Sequence, residues 1–193
     1  MLGASQFSPM KRFPLLLLLL LGAARLLGQS ETLDFGGHGK LTLYLPGDWK
    51  FNTSDFGDRQ LININPTGVA NASCTLTITF PDQDHYDTKG RLKQRVEVNG
   101  VQYAEQSVEG KAVGKEFNLQ KGYGFYCNFT DPELVGKPPQ KGNFKTITEG
   151  MIHLAPDVLI EVAISADGFS SDPYQQLLGM LEGMELSAGG GKP

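Results

Sequence analysis

Residues Ser73–Phe80 commit this chain to a layered β architecture. Cys74, Leu76, Ile78 and Phe80 alternate with Ser73, Thr75, Thr77 and Thr79. Side chains two apart share one face of a strand, so this strand has one apolar face that needs a second layer over it. Pro81 ends the run. Leu41, Leu43 and Leu45 alternate in the same way with Thr42 and Tyr44, up to the turn Pro46-Gly47. Leu61, Ile62 and Ile64 predict another strand, stopped by Asn65-Pro66-Thr67-Gly68. The polar stretch Asn52–Gln60 reads as a loop or hairpin tip. Trp49, the one tryptophan, is expected to plug the edge of the core.

The second half repeats the pattern. Val113–Leu119 is a strand candidate, and Tyr123–Phe129 sets Phe125, Cys127 and Phe129 on one side. Gly136–Gly142 reads as a loop, because Lys137-Pro138-Pro139-Gln140 cannot pair within a central ladder. Phe144–Leu154 and Val158–Ala166 predict a hairpin around Ala155-Pro156-Asp157. Two stretches change period. Leu92, Val96, Asn99 and Tyr103 form a helical stripe, predicting a helix over 92–108, although Asn99-Gly100 is also a strong hairpin signal. The second helix is predicted over 172–185. Ser171 or Asp172 is available as its cap, Pro173 suits its first turn, and Tyr174, Leu177, Leu178, Leu181 and Met184 line one face. The fold class is therefore α+β, an antiparallel sheet with helices on its faces.

Residues 1–28 read as a secretory signal. Lys11-Arg12 precede the apolar run Leu15–Leu21, and small residues Gly22, Ala23, Ala24 and Gly28 offer cleavage after position 24 or 28. The run is shorter than the roughly 20 apolar residues a bilayer span needs. The expectation is a secreted or periplasmic protein without stable membrane insertion after signal cleavage. The organisation predicted is a signal over 1–28, one α+β domain over 29–186 and a flexible tail over 187–193.

The leader holds three of the chain's 17 basic residues and none of its 21 acidic ones, which leaves a net charge of −7 on the rest. An acidic surface repels phosphate backbones, so nucleic-acid partners are disfavoured. Two cysteines, Cys74 and Cys127, do not make a disulfide-dense scaffold. Both lie on the apolar side of their strands in a chain sent to an oxidising compartment. They are the candidate disulfide, with two unpaired core cysteines on non-adjacent strands as the alternative.

The strand-Pro-x-x-Trp opening in Leu41–Lys50, LTLYLPGDWK, and the closing hairpin plus helix Val158–Leu186 resemble the PsbP-like fold, which includes DcrB-type exported lipoproteins and Ran-binding Mog proteins. The resemblance spans roughly residues 35–186. It implies an antiparallel sheet with helices packed on its faces, and a non-catalytic binding or accessory role. It carries over no functional residue. The chain departs from the DcrB type in lacking a lipid-anchor cysteine.

Candidate chemistry is sparse. Asp82, Asp84 and Asp87 crowd the segment PDQDHYD with His85, which makes them candidate calcium ligands; a solvated turn is the alternative. No other cofactor is expected. His38, His85 and His153 lack zinc-ligand spacing. No Gly-x-Ser-x-Gly elbow is present, and Ser107, Ser165 and Ser170 have no local partner. The sequons at Asn52, Asn71 and Asn128 are expected to go unused. The reading is an exported, non-catalytic binding or accessory domain with an unknown protein or small-molecule partner. A hydrolase of unrecognised type is the alternative, and an envelope-interaction protein a third possibility.

Overall fold

A computed structural model describes residues 28–188. The signal expected over 1–28, with its cleavage site, and the end of the expected tail lie outside these residues. Among the described residues the architecture is α+β, with ten strands in two antiparallel sheets and two α-helices.

The larger sheet has the order β3-β4-β5-β9-β8-β7-β6. Its members are β3 (Trp49–Asp55), β4 (Arg59–Pro66), β5 (Ala72–Thr79), β6 (Lys115–Glu116), β7 (Tyr123–Thr130), β8 (Thr146–Ala155) and β9 (Val158–Ala166). The smaller sheet sets β2 (Lys40–Leu45) between β1 (Gln29–Asp34) and β10 (Glu185–Ser187). Asn52–Gln60, expected as a loop or hairpin tip, is mostly strand, because β3 pairs with β4 from Trp49–Pro66 to Asp55–Gln60. The reverse holds for Val113–Leu119, where only Lys115 and Glu116 pair. The hairpin of β8 and β9 turns at Ala155–Val158 as predicted.

Helix α1 (Lys89–Ala104) covers β7 and β8 on one face of the large sheet. Thr88 caps it by accepting from Arg91 N at 3.3 Å. Leu92, Val96, Gly100 and Ala104 form its buried stripe. Asn99-Gly100 therefore does not turn the chain. A Cβ at Gly100 would sit 3.0 Å from both Ala112 Cβ and Phe129 Cζ, so glycine lets the helix lie close on β7. Crowded basic residues at its start are offset by ion pairs of Lys89 with Glu116 and Arg91 with Asp87.

Helix α2 (Asp172–Glu182) and the small sheet cover the other face. Tyr174, Leu177, Met180 and Leu181 are buried, and Leu178 is half-buried at the rim. Neither proposed cap operates: Ser171 Oγ donates backwards to Gly168 O at 2.7 Å, and Asp172 is already helical. The helix stops at Gly183, short of the predicted end, because Glu185–Ser187 leave it to pair with β2. Trp49 is buried and its indole N–H donates to Gln176 Oε1 at 3.0 Å, tying β3 to α2. Phe117 lies on this face in a notch made by two glycines. A Cβ on Gly150 would be 3.2 Å from its ring, and one on Gly124 would be 2.9 Å away.

The disulfide expected between Cys74 and Cys127 is not formed; both are free and buried. The register explains why. Cys74 lies across from Ile164, Ile164 from Thr148, and Thr148 from Asn128. Cys127 is one residue off that row and points to the opposite face. Three strand spacings also separate the two, about 14 Å against the 7 Å limit for a bridge. Each thiol sits in its own core, Cys74 under α2 and Cys127 under α1.

Candidate functional site

Helix α1 covers only part of its sheet face. Beside it the face stays open, and α1, β8, β9 and the segment after β7 enclose a trough. One end is a cleft of about 130 Å³ between Asn99, Gln102 and Tyr103 of α1 and Glu149, Met151 and Glu161 of the sheet. Gln102 and Tyr103 also line the next stretch, a wider depression of about 740 Å³ that reaches Phe129, Phe144, Lys145 and Ile147. Lys145 in turn lines a third hollow of about 230 Å³ with Lys137 and Pro138.

Local rules explain these positions. Glu149 and Ile147 share a face of β8 by strand alternation, and the hairpin register sets Glu161 across from Met151. Both carboxylates therefore stand on the α1 side, diagonal to one another. Asn99 and Tyr103 sit at the flank of the helical stripe, and Asn99 Nδ2 lies 4.0 Å from Met151 Sδ of β8. Tyr103 stacks on Phe129 with ring centroids 5.5 Å apart. Its hydroxyl faces the Glu149 carboxyl. Burial pushes the Glu149 carboxyl up to about 7; the nearby Tyr103 hydroxyl opposes this, and the neighbouring Glu161 charge adds to it. At the other end Lys145 is half-buried and forms no ion pair among the described residues.

The sequence-predicted calcium ligands are not brought together. Asp84 gives both oxygens to His153 Nε2 at 3.1 Å and accepts from Tyr86 N at 3.0 Å. Asp87 pairs with Arg91 at 2.8 Å, while Asp82 is exposed. Among the described residues no group of three His, Cys, Asp or Glu side chains is placed to hold a metal ion. The acidic segment is instead a strap before α1. His153 is buried, Tyr123 stacks on it at 4.8 Å, and the Tyr123 hydroxyl donates to Tyr86 O. His38 pairs with Asp157 at 2.8 Å on the surface and stacks on Phe80; His85 is exposed.

Burial raises the Cys127 thiol to about 11, with the Glu97 charge adding, so it is protonated at neutral pH and unsuited to attack. Ser107 Oγ donates to Ala104 O. The asparagines of two sequons hydrogen-bond within the fold. Asn71 Nδ2 donates to Gln140 O, Asn143 O and Asp167 Oδ1, and Asn128 Oδ1 accepts from Thr148 Oγ1 at 2.8 Å. Asn52 is exposed on the edge strand β3.

Sequence reasoning missed Glu149, Glu161 and Lys145. One signal was available: an acid alternating with Ile147 and Met151 in a predicted strand, facing a second acid across a predicted hairpin.

No family profile matches the chain, and no curated protein matches it. Among solved structures, a crystal structure of a protein from Bacteroides thetaiotaomicron VPI-5482 superposes with a TM-score of 0.50 at 9% sequence identity. The match covers 86% of this chain and 51% of that one, so the chain spans about half its neighbour's length. At that identity the likeness concerns the fold alone. Among the described residues no helix is long and apolar enough to cross a membrane.

Proposed function

We propose that this protein is an exported, non-catalytic binding or accessory domain with a PsbP-like sandwich fold, and that the trough beside α1 is its ligand site. The leader over 1–28 supports export. The strand-Pro-x-x-Trp opening and the closing hairpin plus helix support the PsbP-like reading. One observation carries the binding role: a concave surface in which Asn99, Gln102, Tyr103, Glu149 and Glu161 converge around an apolar floor. Amide-shift mapping of the labelled protein against a set of small polar and aromatic compounds tests it. Hits should cluster at Gln102, Tyr103, Ile147 and Glu149, and Gln102→Trp should abolish them by filling the trough. Hits scattered elsewhere, or none, reject the site.

A hydrolase is the second reading, favoured by one feature. Glu149 near neutrality and Glu161 on the same face are carboxylates in unlike environments, which acid–base hydrolysis uses. Turnover of chromogenic glycosides or esters that is lost in Glu149→Gln would select it over simple binding.

A further inference from the structure

Helix α1 carries apolar residues on the side it turns away from the sheet. Leu92, Val96, Gly100 and Ala104 are its buried stripe, yet Val98 and Val101 are 58% and 50% exposed. At about 100° per residue, Val98 stands almost opposite that stripe. The two valines border an open groove of about 450 Å³ whose other wall is Gly110, Lys111 and Ala112. Six charged side chains lie on Lys89–Glu105. Lys89, Arg91, Lys93 and Glu97 already have ion-pair partners. Arg95 and Glu105 are exposed and have none among the described residues. They bracket the valines, about 15 Å apart along the helix. From N- to C-terminus the solvent side thus reads positive, Val, Val, negative. The other charges on the groove are Glu97, which also accepts from Gly114 N at 3.0 Å, and Lys111, exposed on the far wall.

We infer that the solvent side of α1 binds a second copy of this chain, the two α1 helices lying antiparallel about a two-fold axis between Val98 and Val101. A two-fold interface must be complementary to itself. Read antiparallel, this order of charges is: Arg95 of each copy meets Glu105 of the other, and Val98 faces Val101. A parallel pair would set Arg95 on Arg95 and Glu105 on Glu105. Arg95 also arrives near the C-terminal end of the opposite helix, where a cation is favoured. Burial of the four valines supplies the affinity, and the charges fix the orientation. Contact between single helices is small, so assembly is expected at roughly 10–100 μM. The surface lies apart from the trough and does not depend on its ligand.

Sedimentation equilibrium of the purified protein, over about 5–500 μM to bracket that range, tests this. Wild type should show a monomer–dimer equilibrium, and Val98→Asp should abolish the dimer. Arg95→Glu or Glu105→Arg alone should weaken it at least about tenfold, since both contacts across the two-fold become repulsive. Arg95→Glu combined with Glu105→Arg should return the dissociation constant to within about threefold of wild type. All three positions are exposed, so no variant threatens folding. A monomer at every concentration overturns the inference. So does a dimer indifferent to Val98→Asp, which puts the interface elsewhere. A double variant no tighter than the single ones overturns it too, because the antiparallel pairing of Arg95 with Glu105 then fails.

Discussion

Replacing Glu149 by Gln should make the protein more stable at pH 8 and leave it unchanged at pH 4. The carboxyl is raised from an ordinary 4.5 to about 7, chiefly by burial. Below pH 4.5 it is protonated in both folded and unfolded chains, and no free energy separates them on its account. Between pH 4.5 and 7 the unfolded chain releases this proton while the folded chain keeps it. Folding then takes up a proton, and stability falls as pH rises. Above pH 7 the full difference is present, about 3 kcal/mol. Gln keeps the size of the side chain but carries no charge to desolvate. For a domain of this size, 3 kcal/mol corresponds to a Tm difference of about 6–12 °C. Thermal unfolding of both proteins at pH 4, 6 and 8 measures it. The expected result is coincident curves at pH 4 that diverge with rising pH, the variant melting higher. A gap that stays constant across the series would refute the reasoning, because a packing effect does not titrate.

Trp49→Ala should cost about 3–5 kcal/mol in denaturant unfolding, since it empties a buried site and removes the bond to Gln176. Gly150→Val should lower stability by more than about 1 kcal/mol, because even a Cβ there would lie 2.7 Å from Phe125 O; an unchanged midpoint would contradict the notch for Phe117. Intact mass analysis after alkylation in denaturant without reductant should find both cysteines labelled, and dithiothreitol should leave the Tm unaltered. His153→Ala should loosen the strap over 81–88, seen as faster amide exchange at Tyr86 and in the first turn of α1, while millimolar calcium should leave those rates unchanged.

The strands of the large sheet were legible where the chain alternates without interruption, as in Ser73–Phe80, because a period of two is written locally. The hairpin at Ala155–Val158 was legible for the same reason. Helix α2 was found through its stripe and Pro173 even though neither proposed cap is used. Its C-terminal end was misplaced because β10 ends it by pairing with β2, a strand far away in sequence. Polar Asn52–Gln60 was expected to be a loop or hairpin tip. Edge strand β3 has little apolar content, since only one of its sides is paired and much of it faces water.

The sequence by itself determined that this chain makes an antiparallel α+β fold with two helices, and that each cysteine lies on the buried side of its strand. It did not determine which buried side. A sheet covered on both faces has two cores, and a single-residue offset in register selects between them. Strand order decided the rest: inserting β9 and β8 between β5 and β7 parts Cys74 from Cys127, and joins Glu149, Glu161 and Lys145 into one trough. Order and register depend on contacts between residues distant in sequence, which local periodicity does not encode.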